Sequence, residues 1–284
     1  MDPDSRKNAA QRVNLAKDAI TNAIQQRKQQ LQEQQLTRRL EQEWLDVTTP
    51  GRKPIVGALH PITHTIDTMR QIFARLGFEH VDGPSIETDW YNFSALNIEE
   101  NHPARQSCDT FYLKSGNLLR THTSPVQIRH METHKPPMRI ISSGRVYRSD
   151  SDQTHTPMFH QMEGMVVEQG INFSHLKHTI ITFIKLFFED EDIAIRFRPS
   201  FFPFTEPSAE VDIKHNGRWL EVLGCGMVHP NVFANCKLNP EQTTGFAFGL
   251  GVERFAMIKH DIPDLRDMYL CDVRWQKHYG NIYT

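Results

Sequence analysis

Gly144 to Gly164 reads GRVYRSDSDQTHTPMFHQMEG, and the arrangement of the rest of the chain follows from this stretch. Strand-forming residues run up to Arg148, a polar loop follows, and Phe159-His160-Gln161-Met162-Glu163 returns as a second strand. Side chains alternate along a strand, so Gln161 and Glu163 fall on one face and His160 and Met162 on the other. A return through a short loop makes the pair antiparallel. The residue types alone suit an exposed polar hairpin. They also suit a cleft, because a planar arginine fork matches phosphate oxygens and a Gln/Glu pair suits an ammonium group.

Outward from this hairpin the same pattern repeats. Asn216-Gly217 between Val211–Lys214 and Trp219–Leu223 is a hairpin signal. Met138–Ile141, Met165–Glu168 and Ile193–Phe197 are further strand-like runs. Ile66, Met69, Ile72, Phe73 and Leu76 share a helix face that ends at Gly77, and Leu176, Ile180, Phe183, Ile184 and Phe187 form a second, with Ser174 as the expected N-cap. Hairpin-linked strands with few helical crossovers predict an α+β fold, an antiparallel sheet flanked by helices. No glycine-rich dinucleotide fingerprint or Walker loop is present, so a nucleotide would need another kind of site.

Residues 1–48 are expected to form a long N-terminal helix and 49–284 the main domain, with the break at Thr49-Pro50-Gly51. The first 46 residues lack glycine, and Val13, Ala16, Ile20, Ala23 and Ile24 make an apolar stripe. Eight Lys/Arg against seven Asp/Glu in that stretch leave open whether it packs on protein or touches RNA. The net charge of −2 gives no bulk basic excess, so any nucleic-acid contact must be local. No run is apolar enough to cross a membrane, and four cysteines without a C-x-x-C pair predict free thiols; a cytoplasmic location is expected. His155 and His160 have no cysteine or acid at ligand spacing, which speaks against zinc.

Gly245 to Phe255, GFAFGLGVERF, reads as a strand of small residues, two glycines, and then a helix opened by Glu253-Arg254. Gly249 and Gly251 would let a ligand approach the backbone, and Arg254 would lie beside first-turn N–H groups that favour anions.

Taken together, these segments resemble class II aminoacyl-tRNA synthetases. The Gly144–Gly164 hairpin is similar to their motif 2, Gly249-Leu250-Gly251-Val252-Glu253-Arg254 to motif 3, and Leu76-Gly77-Phe78 with Gly83-Pro84 to motif 1. Asn92–Asn97, His102–Arg105, Leu119–Ser124, Phe159–Gly164, Phe201–Pro207 and Leu220–Pro230 narrow the resemblance to the phenylalanyl-tRNA synthetase α subunits, over roughly residues 50 to 284.

That resemblance implies activation of L-phenylalanine with ATP and transfer to tRNA(Phe), in an α2β2 heterotetramer with a β subunit that carries the editing site. It also implies the roles. Arg148 would hold the α-phosphate and Arg254 the γ-phosphate; His155 would contact the phosphates and Phe159 stack on adenine. His122, Ser124, Gln161 and Glu163 would surround the amino acid's polar end. Phe202, Phe204 and Ala247 would enclose its ring, and Glu206 would bind Mg2+ shared with the partner. In isolation FFPF reads as core aromatics and Glu206 as a loop acid. The N-terminal helix resembles the second half of the family's two-helix tRNA-reaching arm, and the stop soon after motif 3 favours the two-subunit form. The alternative is a synthetase-like paralogue that serves regulation or assembly without catalysis. Loss of Arg148, Arg254 or Glu163 would mark it, and all three are present.

Overall fold

The computed structural model describes residues 3–43, 46, 48–49, 51, 57–106, 108–149 and 156–280. Two units divide the chain, Met1–Ile55 and Val56–Thr284. The first contains α1 (Pro3–Gln42), 40 residues and so about 60 Å long at 1.5 Å per residue. The stripe residues Val13, Ile20 and Ile24 on it are exposed. Pro50 lies outside the described residues.

The second unit runs α2 (Pro61–Arg75), β1 (Glu79–His80), β2 (Ile86–Glu87), α3 (Asp89–Asn92), β3 (Leu118–Leu119), α4 (Pro125–Thr133), β4 (Met138–Tyr147), β5 (Met158–Val167), α5 (Phe173–Phe188), β6 (Ile195–Phe202), β7 (Thr205–His215), β8 (Arg218–Val228), α6 (Pro230–Asn235), β9 (Gly245–Gly251), α7 (Val252–His260) and α8 (Val273–Tyr279). Seven strands form one sheet in the order β1-β4-β5-β9-β8-β7-β6. Every pairing is antiparallel except the edge pair of two-residue β1 with β4, which is parallel. The expected antiparallel sheet is therefore slightly mixed.

Local sequence explains the elements. Asn216 and Gly217 both adopt positive φ, 49° and 77°, the conformation that a tight β7–β8 turn requires. Gly77 follows α2 at φ 82°. The expected cap at Ser174 is displaced: Asn172 caps α5, accepting from the Ser174 N–H, while His175 reaches back to the Asn172 N–H. Asparagine is as good a cap as serine, and the reciprocal histidine bond settles the choice.

Alternation along the central strands separates two faces. Met162 and Val166 of β5, with Phe246, Phe248 and Leu250 of β9, join the core under α2, α5 and α7. There Phe73 stacks on Phe183 and Phe248, with ring centroids 4.5 and 5.1 Å apart. Each such ring contributes about 1.5–3 kcal/mol through burial. Met165, Val167 and Ala247 point to the other face, where a smaller core gathers Phe93, Ile128, Val232 and Phe233. This second face carries the cavity. Among the described residues no helix is long and apolar enough to cross a membrane.

Candidate active site

A cavity of about 720 Å³ opens on the second face, and its lining includes His122, Ser124, Arg148, Phe159, Gln161, Glu163, Phe202, Phe204, Ala247 and Arg254. Ten of the sequence candidates thus converge on one concavity, although they come from segments more than a hundred residues apart. Two do not take part. His155 lies outside the described residues. Glu206 is absent from the lining; its side chain is 77% exposed and sits 3.5 Å from His229 Nε2.

Arg148 is the first residue past β4. Its N–H closes the hairpin on the Pro157 carbonyl at 3.0 Å, and its Nε donates to the Thr121 carbonyl at 3.2 Å. The guanidinium carbon lies 5.1 Å from the Phe159 ring centroid, an orientation that stiffens both groups. Arg254 approaches from the first turn of α7, with its Nε donating to the Glu221 carbonyl at 3.2 Å. β4, which leads into Arg148, and β9, which leads into α7 and Arg254, are separated only by β5.

Between them lies the polar end. Glu163 Oε2 accepts from Ser124 Oγ at 2.6 Å and Gln127 Nε2 at 2.9 Å, while Oε1 accepts from the Thr123 N–H at 3.2 Å. Three donors fix its orientation. Burial nevertheless dominates, pushing the carboxyl up to about 7 against the lowering effect of those bonds. Beside it, burial and then the Arg148 charge hold His122 down to about 3. The ring is neutral, and apart from a loose approach to the Asn92 backbone its nitrogens are unpaired. Gln161 Oε1 is also buried without a partner. Burying unpaired acceptors beside a carboxylate is costly, and a ligand carrying an ammonium group would satisfy them.

The apolar end is a slot. Phe202 and Phe204 lie nearly parallel, 9° apart with centroids at 5.9 Å. Ala247 lines the cavity together with Gly249 of β9 and Gly224 of β8, which pair with each other, so much of this floor has no side chain. A Cβ on Gly224 would come within 2.8 Å of Phe202 Cζ, closer than packing allows.

Reading the sequence alone missed several contributors. Gln127 sits three residues past Ser124 on α4 and reaches Glu163 through helical spacing. Gly224 matters only through the β8–β9 register. Glu210 and Glu221 also line the cavity; Arg198 bridges them at 3.0 and 3.2 Å while bonding Asp212 with its Nε and Nη2. Only strand pairing unites these charges, so no short motif announces them.

Comparison with known proteins agrees with this geometry. Residues 44–279 match the family described as tRNA synthetases class II core domain (F), and residues 1–40 match the aminoacyl tRNA synthetase class II N-terminal domain. The chain is 56% identical to the phenylalanine–tRNA ligase alpha subunit of Rickettsia prowazekii, across 97% of this chain and 81% of that one. It is 55% identical to the same-named subunit of Xanthomonas axonopodis pv. citri, across 98% and 85%. The fold is also similar to pyrrolysyl-tRNA synthetase from Desulfitobacterium hafniense, with a TM-score of 0.59 at 18% identity over 88% of this chain and 84% of that one. Sheet, cavity and relatives agree: the chain belongs to the class II aminoacyl-tRNA synthetases, among the phenylalanine–tRNA ligase alpha subunits.

Proposed function

We propose that this subunit activates L-phenylalanine with ATP to an enzyme-bound adenylate and passes the phenylalanyl group to tRNA(Phe), working with a β subunit in an α2β2 assembly. The observation that carries the reading is the single cavity shared by Arg148, Arg254 and the Phe202/Phe204/Ala247 slot. In the first step a phenylalanine carboxylate oxygen attacks the α-phosphorus and pyrophosphate leaves. The substrate is its own nucleophile, so the protein supplies alignment and charge. Arg148 holds the carboxylate and α-phosphate, Arg254 the γ-phosphate, and Phe159, already in contact with Arg148, offers a face for adenine. Gln161 Oε1, His122 and Glu163 receive the ammonium, with Ser124 fixing the Glu163 carboxylate. In the second step a terminal ribose hydroxyl of the tRNA attacks the adenylate carbonyl and AMP departs.

Magnesium is expected with the triphosphate. Among the described residues no three acids, histidines or cysteines cluster as a dedicated metal site. Phosphate-borne magnesium needs only one or two carboxylates, and Glu210 and Glu221, which line the cavity beside the Arg254 anchor, fit that need. When bound, the ion offsets charge on the phosphate oxygens. Glu206, exposed and outside the cavity lining, suits only a site completed by the partner subunit. Residues 1–48 are read as a helical arm and 49–284 as the catalytic domain.

The test is ATP–pyrophosphate exchange by the chain with its β partner. Phenylalanine should stimulate exchange far more than tyrosine or leucine, and equal response to all three would overturn the reading. A non-catalytic paralogue predicts no amino-acid-dependent exchange at all.

A further inference from the structure

One carboxylate oxygen joins the two nucleotide-binding elements. The β5–β9 ladder ends with Gln161 opposite Gly251, because α7 begins at Val252. The next β5 residue, His160, therefore has no partner strand on that side. Its N–H instead donates to Glu253 Oε1 at 2.8 Å, and its Nδ1 lies 2.8 Å from the same oxygen. Tyr269, from the short 3-10 turn Leu265–Tyr269, donates its hydroxyl to that oxygen at 2.5 Å. Glu253 is 2% exposed. Its side chain takes over the role of a strand carbonyl just where the strand stops.

The neighbours give this arrangement its meaning. His160 stands between Phe159 and Gln161, and Arg254 follows Glu253; all three flanking residues line the cavity. We infer that Glu253, with His160 and Tyr269, is a positioning group that fixes the spacing between Arg254 on α7 and Phe159 on β5, and so tunes ATP binding selectively. The inference rests on the nucleotide reading given above. Glu253 itself touches no reacting atom. At the phenylalanine end Gln161 adjoins His160, but Glu163, Gln127 and Ser124 are anchored separately through α4, so that end is expected to feel the change far less.

The measurement is a split of Michaelis constants in exchange assays of the α subunit with its β partner, backed by binding of a non-hydrolysable ATP analogue without amino acid. Glu253→Ala removes the acceptor for three donors. Its KM for ATP should rise about tenfold or more, analogue binding should weaken in parallel, and KM for phenylalanine should stay within about twofold. Glu253→Gln keeps an acceptor oxygen and should change KM for ATP by less than about threefold. Tyr269→Phe deletes one hydroxyl with little risk to folding and should raise it by about two- to fivefold. An unchanged KM for ATP in folded Glu253→Ala, or in Tyr269→Phe if the alanine variant fails to fold, overturns the inference. So does a parallel rise in both constants, which is what general loosening produces. Absence of phenylalanine-stimulated exchange in the unaltered enzyme would instead overturn the functional reading, while analogue binding would still report on the positioning.

Discussion

Between pH 6 and 8 phenylalanine binding should depend on Glu163 alone among the groups at the polar end. Burial pushes its carboxyl from the usual 4.5 to about 7, so roughly a tenth is ionised at pH 6 and about nine-tenths at pH 8. His122, held down to about 3, adds no step in this window. An ammonium ligand prefers the ionised carboxylate, so the affinity of the free enzyme for phenylalanine should rise up to about tenfold from pH 6 to pH 8, with ATP affinity much less affected. Glu163→Gln should flatten this dependence. It also loses a charged hydrogen-bond acceptor worth about 1.5–3 kcal/mol, a drop in affinity of roughly 10- to 150-fold. Turning its NH2 toward Ser124 and Gln127 would oppose donor to two donors, so the amide oxygen stays on that side. The NH2 then takes the place of the oxygen that accepts from the Thr123 N–H, and that bond is lost as well. Equilibrium binding of phenylalanine by calorimetry at several pH values is the assay. A flat profile in the unaltered protein, or an undiminished slope in Glu163→Gln, would refute the reasoning. Folding stability has the opposite slope: the raised carboxyl binds a proton more tightly when folded, so stability declines as pH rises from 4.5 through about 7, by about 3 kcal/mol at most.

Three further substitutions probe the other walls. Ala247→Gly deletes the methyl from a floor shared with Gly224 and Gly249; relief of about 1–3 kcal/mol of overpacking should raise kcat/KM for para-chlorophenylalanine relative to phenylalanine by roughly 5- to 150-fold in exchange assays. Gly224→Ala places a Cβ 2.8 Å from Phe202 Cζ, so the ring must move, and KM for phenylalanine should rise severalfold with thermal stability lowered by about 1–3 kcal/mol. Arg254→Ala should lower kcat/KM for ATP by about 100-fold or more while equilibrium binding of phenylalanine alone is kept, as the proposed role at the γ-phosphate requires.

How much of this was legible in the residues depends on the range of the interactions. Periodicity located α2 and α5, and the Asn216-Gly217 turn located β7 and β8, because those signals are local. Alternation placed Gln161 and Glu163 on a common face, as the β5 register has them. The paired charges of Arg198, Glu210 and Glu221 escaped notice because three separate strands supply them. Glu253 was read only as the residue before a motif arginine; its bond to the His160 N–H depends on where a ladder ends, which composition does not encode. The cap falls on Asn172 and not on the expected Ser174 because His175 closes a reciprocal bond there. The FFPF segment, by its resemblance, suggests aromatics around a ligand ring, while the parallel stacking of Phe202 on Phe204 depends on the bend of the chain between β6 and β7.

The order β4-β5-β9 has a metrical consequence. Adjacent strands stand about 4.8 Å apart, so the axes of β4 and β9, which lead into Arg148 and α7, are separated by two such intervals, a gap near 10 Å dictated by amide hydrogen bonding. That gap behaves as a gauge block. A change confined to the residues between Arg148 and Pro157 leaves it untouched, so the interval between the two strands that support the guanidinium groups stays constant.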